Sequence, residues 1–142
     1  MKRTDWLLLT VAAGKGAGLT PVQLQKSVFL LGRFLPQDVG PSYYRFIPYN
    51  YGPFCVDVYR DAEMLEREGL VNIVRSEGNL PTYRVAKAGE DRARHVARML
   101  SPHQSEYVRR VVEWTQGLSF PALVRAIYQQ FPEFKQNSVF QG

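Results

Sequence analysis

The sequence has one cysteine, two histidines and no long apolar run, and each scarcity removes a class of protein. A lone Cys55 cannot close an internal disulfide, so nothing ties the chain to an oxidising compartment. His95 and His103 show no paired spacing with each other or with Cys55, unlike the ligand patterns of zinc sites. Neither a metal nor a cofactor is expected. No segment approaches the roughly 20 apolar residues needed to span a bilayer, so no membrane partner is expected. Lys2 and Arg3 precede the apolar run Trp6 to Ala13, which superficially resembles the start of a signal peptide. Asp5 interrupts it, however, and a run of about eight residues is short for such a segment. The chain reads as cytoplasmic, with a first helix at this place. No repeat or low-complexity tract is visible.

What is present is ordinary globular material. With 45% hydrophobic and 22% charged residues, a chain of 142 residues can bury a core without disulfides or metals. The net charge of +5 is unevenly spread. Residues 1–50 carry +4, residues 51–74 carry −3 and residues 75–142 carry +4, so a basic body surrounds one acidic stretch.

Thr4 to Ala13 reads as a short helix stopped by Gly14, Gly16 and Gly18. Thr20-Pro21-Val22-Gln23 is a strong helix start: a capping threonine, a proline at the first helical position and a glutamine that completes a capping box. Leu24, Val28, Leu31 and Leu35 then recur on one helical face until Pro36 and Gly40-Pro41. Tyr43 to Tyr51 favours an extended segment with edge-strand character, because Pro48 cannot donate to a ladder. After Tyr51-Gly52-Pro53 a helix is expected to about Glu68, with Phe54, Val58, Ala62 and Leu65 buried and Gly69 as its C-cap.

Val71 to Val74 and Thr82 to Val85 alternate like strands around a turn over Ser76 to Leu80. Ala93, Val96, Ala97 and Leu100 stripe the next helix, Tyr107, Val111 and Trp114 another, and Leu123, Ile127 and Phe131 a last one beginning near Ser119. Helix, helix, hairpin, helix is the order of a winged helix-turn-helix. The expectation is a mainly α fold with a small β-hairpin, winged-helix-like, with extra C-terminal helices. It forms a single domain over 1–142: a winged-helix-like core over 1–100, its wing at about 71–85, and a helical extension over 101–142.

Leu19-Thr20-Pro21-Val22-Gln23-Leu24-Gln25-Lys26, followed by Phe29-Leu30-Leu31, resembles the opening of the Panacea (SocA-like) antitoxin domain and related bacterial defence-associated proteins. Pro48-Tyr49-Asn50-Tyr51-Gly52-Pro53-Phe54 looks like that family's Tyr-Gly-Pro hallmark. Tyr59-Arg60-Asp61, Leu65-Glu66-Arg67-Glu68-Gly69-Leu70 and Tyr128 to Phe134 continue the similarity. The chain departs from the pattern at Cys55, where a capping serine is expected, and at Ala86, where winged helices often place threonine. The resemblance implies a regulatory or toxin-neutralising protein that works by binding, and it supplies no catalytic residue.

The run Gly14-Lys15-Gly16-Ala17-Gly18 lacks the Ser or Thr after lysine that a phosphate-cradling loop needs, and reads as a connection. Cys55 lies near a helix N-terminus, where a thiol can be activated, but no histidine is placed beside it. A thiol-dependent enzyme is therefore the distant alternative, and no enzyme is the expectation. Asp57 and Asp61, at i and i+4, read as part of a solvated acidic face.

Two binding readings remain. In the first, Tyr49, Tyr51, Phe54, Asp57, Arg60 and Asp61 contact a protein partner, such as a toxin, through aromatic anchors, with the tyrosines beside Pro48 and Asn50 the exposed ones, and the acidic helix. In the second, a transcriptional regulator acting as a homodimer binds duplex DNA through Arg75, Arg84, Lys87 and Arg92 on and after the wing. The acidity of the helix before the wing, which would face phosphates in the usual mode, favours the first.

Overall fold

The computed structural model describes residues 1–141. The chain is mainly helical, with two small antiparallel sheets of two strands each. Helix α1 (Arg3–Ala13) leads through a single 3-10 turn to α2 (Pro21–Phe34), then the one-turn α3 (Pro36–Val39). A first hairpin, β1 (Ile47–Tyr49) and β2 (Gly52–Phe54), precedes α4 (Val56–Arg67). A second, β3 (Val71–Val74) and β4 (Thr82–Val85), precedes α5 (Lys87–Ala97), α6 (Pro102–Gln116) and α7 (Phe120–Gln130).

Local signals set most of these boundaries. Thr20 and Ser101 each form the full capping box, accepting from the Gln23 and Gln104 amides, while Ser119 accepts from Ala122. At α4 and α5 the cap positions fall on Cys55 and Ala86, and neither side chain caps. The hairpin β3–β4 pairs Val71 with Val85 and Val74 with Thr82, and its buried residues Val71, Ile73 and Tyr83 face the core.

Helices α1 and α2 form the centre. Trp6, Leu7, Leu8 and Val11 of α1 pack with α2, α4, α5 and α6, and burying each such side chain contributes about 1.5–3 kcal/mol. Helix α2 is buried almost all round from Leu24 to Leu31. Its rotation against α6 is keyed by a buried hydroxyl pair, Ser27 to Thr115 at 2.9 Å.

That pairing corrects the expected stripe on α6. The buried face is Val108, Val111, Val112 and Thr115, whereas Trp114 is 40% exposed at the edge of a groove beside Leu30 and Phe34. A second correction concerns Phe54. It closes β2 rather than opening a helix, because Gly52-Pro53-Phe54 pairs with Tyr49, Pro48 and Ile47, proline opposite proline. Cys55 stays extended and α4 starts only at Val56. A third is Leu100, which lies in the turn after α5 rather than on it.

The glycine run is a connection. Gln116 Nε2 donates to the carbonyls of Gly14 and Gly18, each at 3.0 Å, and so ties the loop to α6.

Candidate functional site

One turn of α2 builds two adjoining features. Gln25 points its amide at the backbone of Cys55, donating to the carbonyl at 2.9 Å and accepting from the N–H at 3.0 Å. This clamp fixes the exit of the β1–β2 hairpin on α2. Replacing Gln25 by Leu leaves the Cys55 amide buried without an acceptor. The expected cost is about 2 kcal/mol, read as a lowered urea midpoint, with amide shifts concentrated in residues 49–55.

The next residue, Lys26, is 2% exposed. Burial alone lowers its pKa from 10.5 to about 8, and no carboxylate opposes that effect. Its side chain lies along a cleft of about 480 Å³ between α2, the β1–β2 hairpin, Tyr59 of α4 and Phe120 of α7. Pro21, Val22, Pro53, Phe54 and Leu80 make much of the remaining wall apolar.

The aromatics are arranged, not merely numerous. Tyr49 tilts on Phe54 at 4.8 Å, Phe54 meets Tyr59 edge-on at 5.8 Å, and Tyr51 meets Phe120 edge-on at 5.1 Å. Tyr49, Tyr51 and Phe120 are exposed and form the rim. Burial first, with Tyr83 stacked beside it, keeps the Tyr59 hydroxyl protonated far above its ordinary range. The far side of the hairpin is held by the C-terminal segment, where the Val139 N–H donates to the Asn50 carbonyl at 3.0 Å.

Gly52 is the narrow point of this arrangement. Its φ of +110° is a conformation natural to glycine. A β-carbon there would stand 3.5 Å from Lys26 Nζ and 3.4 Å from Tyr128 Cε1. The Tyr128 hydroxyl is itself buried without a hydrogen-bond partner.

Of the six residues expected at a protein interface, the structure gathers Tyr49, Tyr51 and Phe54 in this cleft. Asp57, Arg60 and Asp61 belong to another face of α4. Asp61 is mostly buried, accepting from Arg3 Nε at 3.0 Å and from the Tyr44 hydroxyl at 2.7 Å. Asp57 lies 3.7 Å from Arg3 and 3.6 Å from Arg60, and Arg60 is largely exposed. Glu66 pairs with Arg75 at 3.1 Å, a contact that holds its carboxyl below the usual range. The acidity of residues 51–74 is thus largely answered by Arg3 and Arg75 from outside the segment. The field that disfavours DNA at α4 is weaker than the sequence count suggests.

Among the residues expected at a nucleic-acid surface, Arg75 is engaged by Glu66, while Arg84, Lys87 and Arg92 are exposed on β4 and α5. Cys55 is buried, and His95 and His103 are exposed on α5 and α6. Among the described residues no three His, Cys, Asp or Glu side chains cluster, and no helix is long and apolar enough to cross a membrane.

Sequence reasoning passed over Lys26. The signal was its isolation: between Lys15 and Arg33 it is the one charged residue, in the middle of a helix with Val22, Phe29 and Leu30 one turn away. Compared with known proteins, the chain matches no protein-family model, no curated protein and no solved structure.

Proposed function

We propose that this chain is a non-enzymatic, winged-helix-like regulatory module of the antitoxin or accessory-subunit type, acting in the cytoplasm by gripping a protein partner in the aromatic cleft. The observation that carries the reading is the cleft itself. Exposed Tyr49, Tyr51 and Phe120 surround a largely apolar recess whose lining includes Lys26, 2% exposed and without a salt bridge among the described residues. Large amphipathic rings around a desolvated centre are the anatomy of an interface hot spot. The motif resemblance to Panacea-type antitoxins and the order α4, β3, β4, α5, with β3–β4 as wing, support the same assignment. Asp57, Arg60 and Asp61 serve the scaffold in this reading, and Tyr49, Tyr51 and Phe54 meet the partner.

A photo-crosslinking residue at position 51, introduced in the producing cell, is expected to capture a discrete protein. The yield should fall in a Phe120→Ala background and stay unchanged in an Arg84→Ala, Lys87→Ala background. The rival reading is duplex DNA held by the wing. Micromolar binding of random duplex that collapses between about 50 and 200 mM salt, and vanishes in the Arg84→Ala, Lys87→Ala protein, would replace the protein partner with DNA.

A further inference from the structure

Among the described residues the cleft has one cation and no acid in its lining, and its remaining polar groups are largely spoken for. The Gln25 amide holds Cys55, the Asn50 carbonyl accepts from Val139, and the Tyr59 hydroxyl donates to the Pro21 carbonyl at 3.4 Å. Lys26, 2% exposed as a residue, makes no salt bridge and no side-chain hydrogen bond among the described residues. A buried ammonium without a partner is costly, and an anion seated against it recovers that cost.

The anion must match one positive charge in apolar surroundings. A phosphate dianion would bring a second negative charge with nothing to meet it, so a monoanion fits and a nucleotide does not. The body attached to it must be apolar, to lie among Pro53, Phe54, Tyr59 and Val22. A chain's free C-terminus offers that combination, one negative charge beside one side chain, whereas a mid-chain segment brings no charge unless it carries an acid.

We propose that the cleft receives the free C-terminus of a partner chain, with the α-carboxylate on Lys26 and an aromatic or branched aliphatic last side chain against Phe54 and Tyr59. This rests on the protein-binding reading above and specifies what the partner presents. Gly52 borders the same place, since a β-carbon there would touch Lys26 Nζ at 3.5 Å. Tyr128, whose buried hydroxyl has no partner among the described residues, also lies against Gly52.

The test uses N-acetylated Gly-Ser-Gly-Xaa peptides with Xaa Phe, Tyr, Leu, Ile or Val. Each is made as the free acid and as the C-terminal amide, and titrated calorimetrically and by amide shifts of residues 49–54. At least one acid is expected to bind roughly tenfold or more tightly than its amide. The Lys26→Met protein is expected to bind acid and amide alike, and Tyr51→Ala to weaken both by the same factor. Acid and amide binding equally to the unaltered protein, or no peptide binding at all, would overturn the proposal. N-acetylphenylalanine binding more tightly than the phenylalanine-ended peptide would assign the cleft to a free small acid and overturn it as well. The position-51 crosslink separates the two levels. If a protein is still captured while every acid fails, the carboxylate assignment falls and the protein-binding reading stands.

Discussion

Lys26→Met is expected to make the protein more stable at pH 7, by about 3 kcal/mol. In the unfolded chain Lys26 binds its proton with a pKa near 10.5; in the fold the value is about 8. The unfolded state therefore holds more protons between these values, and stability rises with pH across that window. Below pH 8 both states are charged and the full penalty of a buried ammonium is present. Methionine, of similar length and uncharged, removes the penalty and keeps the packing. The gain should be largest at pH 7 and fade towards pH 10.5, read as the difference between the two proteins' urea midpoints. Tyr49, Tyr51 and Tyr59, the other ionisable groups of the cleft, are common to both proteins and cancel in the difference. A Lys26→Met protein less stable than its parent at pH 7 would mean that the ammonium has a partner in solution. A residue that costs stability where a neutral one would fit is the pattern of a binding position rather than a structural one.

Gly89→Ala should act in the opposite direction and about as strongly. Inside a helix this exchange ordinarily gains about 1 kcal/mol. Here a β-carbon would overlap the carbonyl of Leu70 and crowd Val85 Cγ2 at 2.9 Å. That carbonyl accepts from the Ala86 N–H at 3.0 Å, so backbone must move, and the bond that joins the start of the β3–β4 hairpin to the start of α5 moves with it. The expected loss is about 2–3 kcal/mol, measured against Ala88→Gly, which touches only the exposed side of the same turn. An unchanged midpoint in Gly89→Ala would show that α5 can slide away from the hairpin at little cost.

The parts of the molecule legible from sequence are those decided within a few residues. Thr20 with Gln23 fixes the start of α2, and the alternation at Val71 to Val74 fixes which side of β3 is buried. The glycine at position 89 follows a lysine two residues earlier, yet nothing local says that Leu70 lies against it. Phe54 was misplaced onto a helix because its spacing to Val58, Ala62 and Leu65 suits one. What overrides that spacing is distant: Gln25, thirty residues away, holds Cys55 extended. Trp114 was expected inside because the stripe ignores the Ser27–Thr115 hydroxyl pair, which turns α6 by a fraction of a turn.

The candidate site divides in the same way. Tyr49 and Tyr51 could be picked out because prolines and asparagine beside them favour exposed backbone, and both are exposed. The aspartates could not be sorted, since their partner Arg3 lies more than fifty residues earlier. Lys26 was hidden by its own chemistry. A lysine on an amphipathic helix ordinarily extends freely into water, and the packing of the β1–β2 hairpin, α4 and α7 around α2 leaves this one 2% exposed.

Gln25 and Lys26 are neighbours on one helical turn, and this sets how the recess can breathe. The wall held by Gln25 and the charge supplied by Lys26 share a rigid body, so their separation comes from the α-helical repeat and is insensitive to rearrangements elsewhere. The opposite boundary has no such link: Phe120 sits at the start of α7, and the hairpin turn is held there by the segment around Val139. The two boundaries of the recess are thus held independently, the charged one by α2 itself and the aromatic one by α7 and the C-terminal segment.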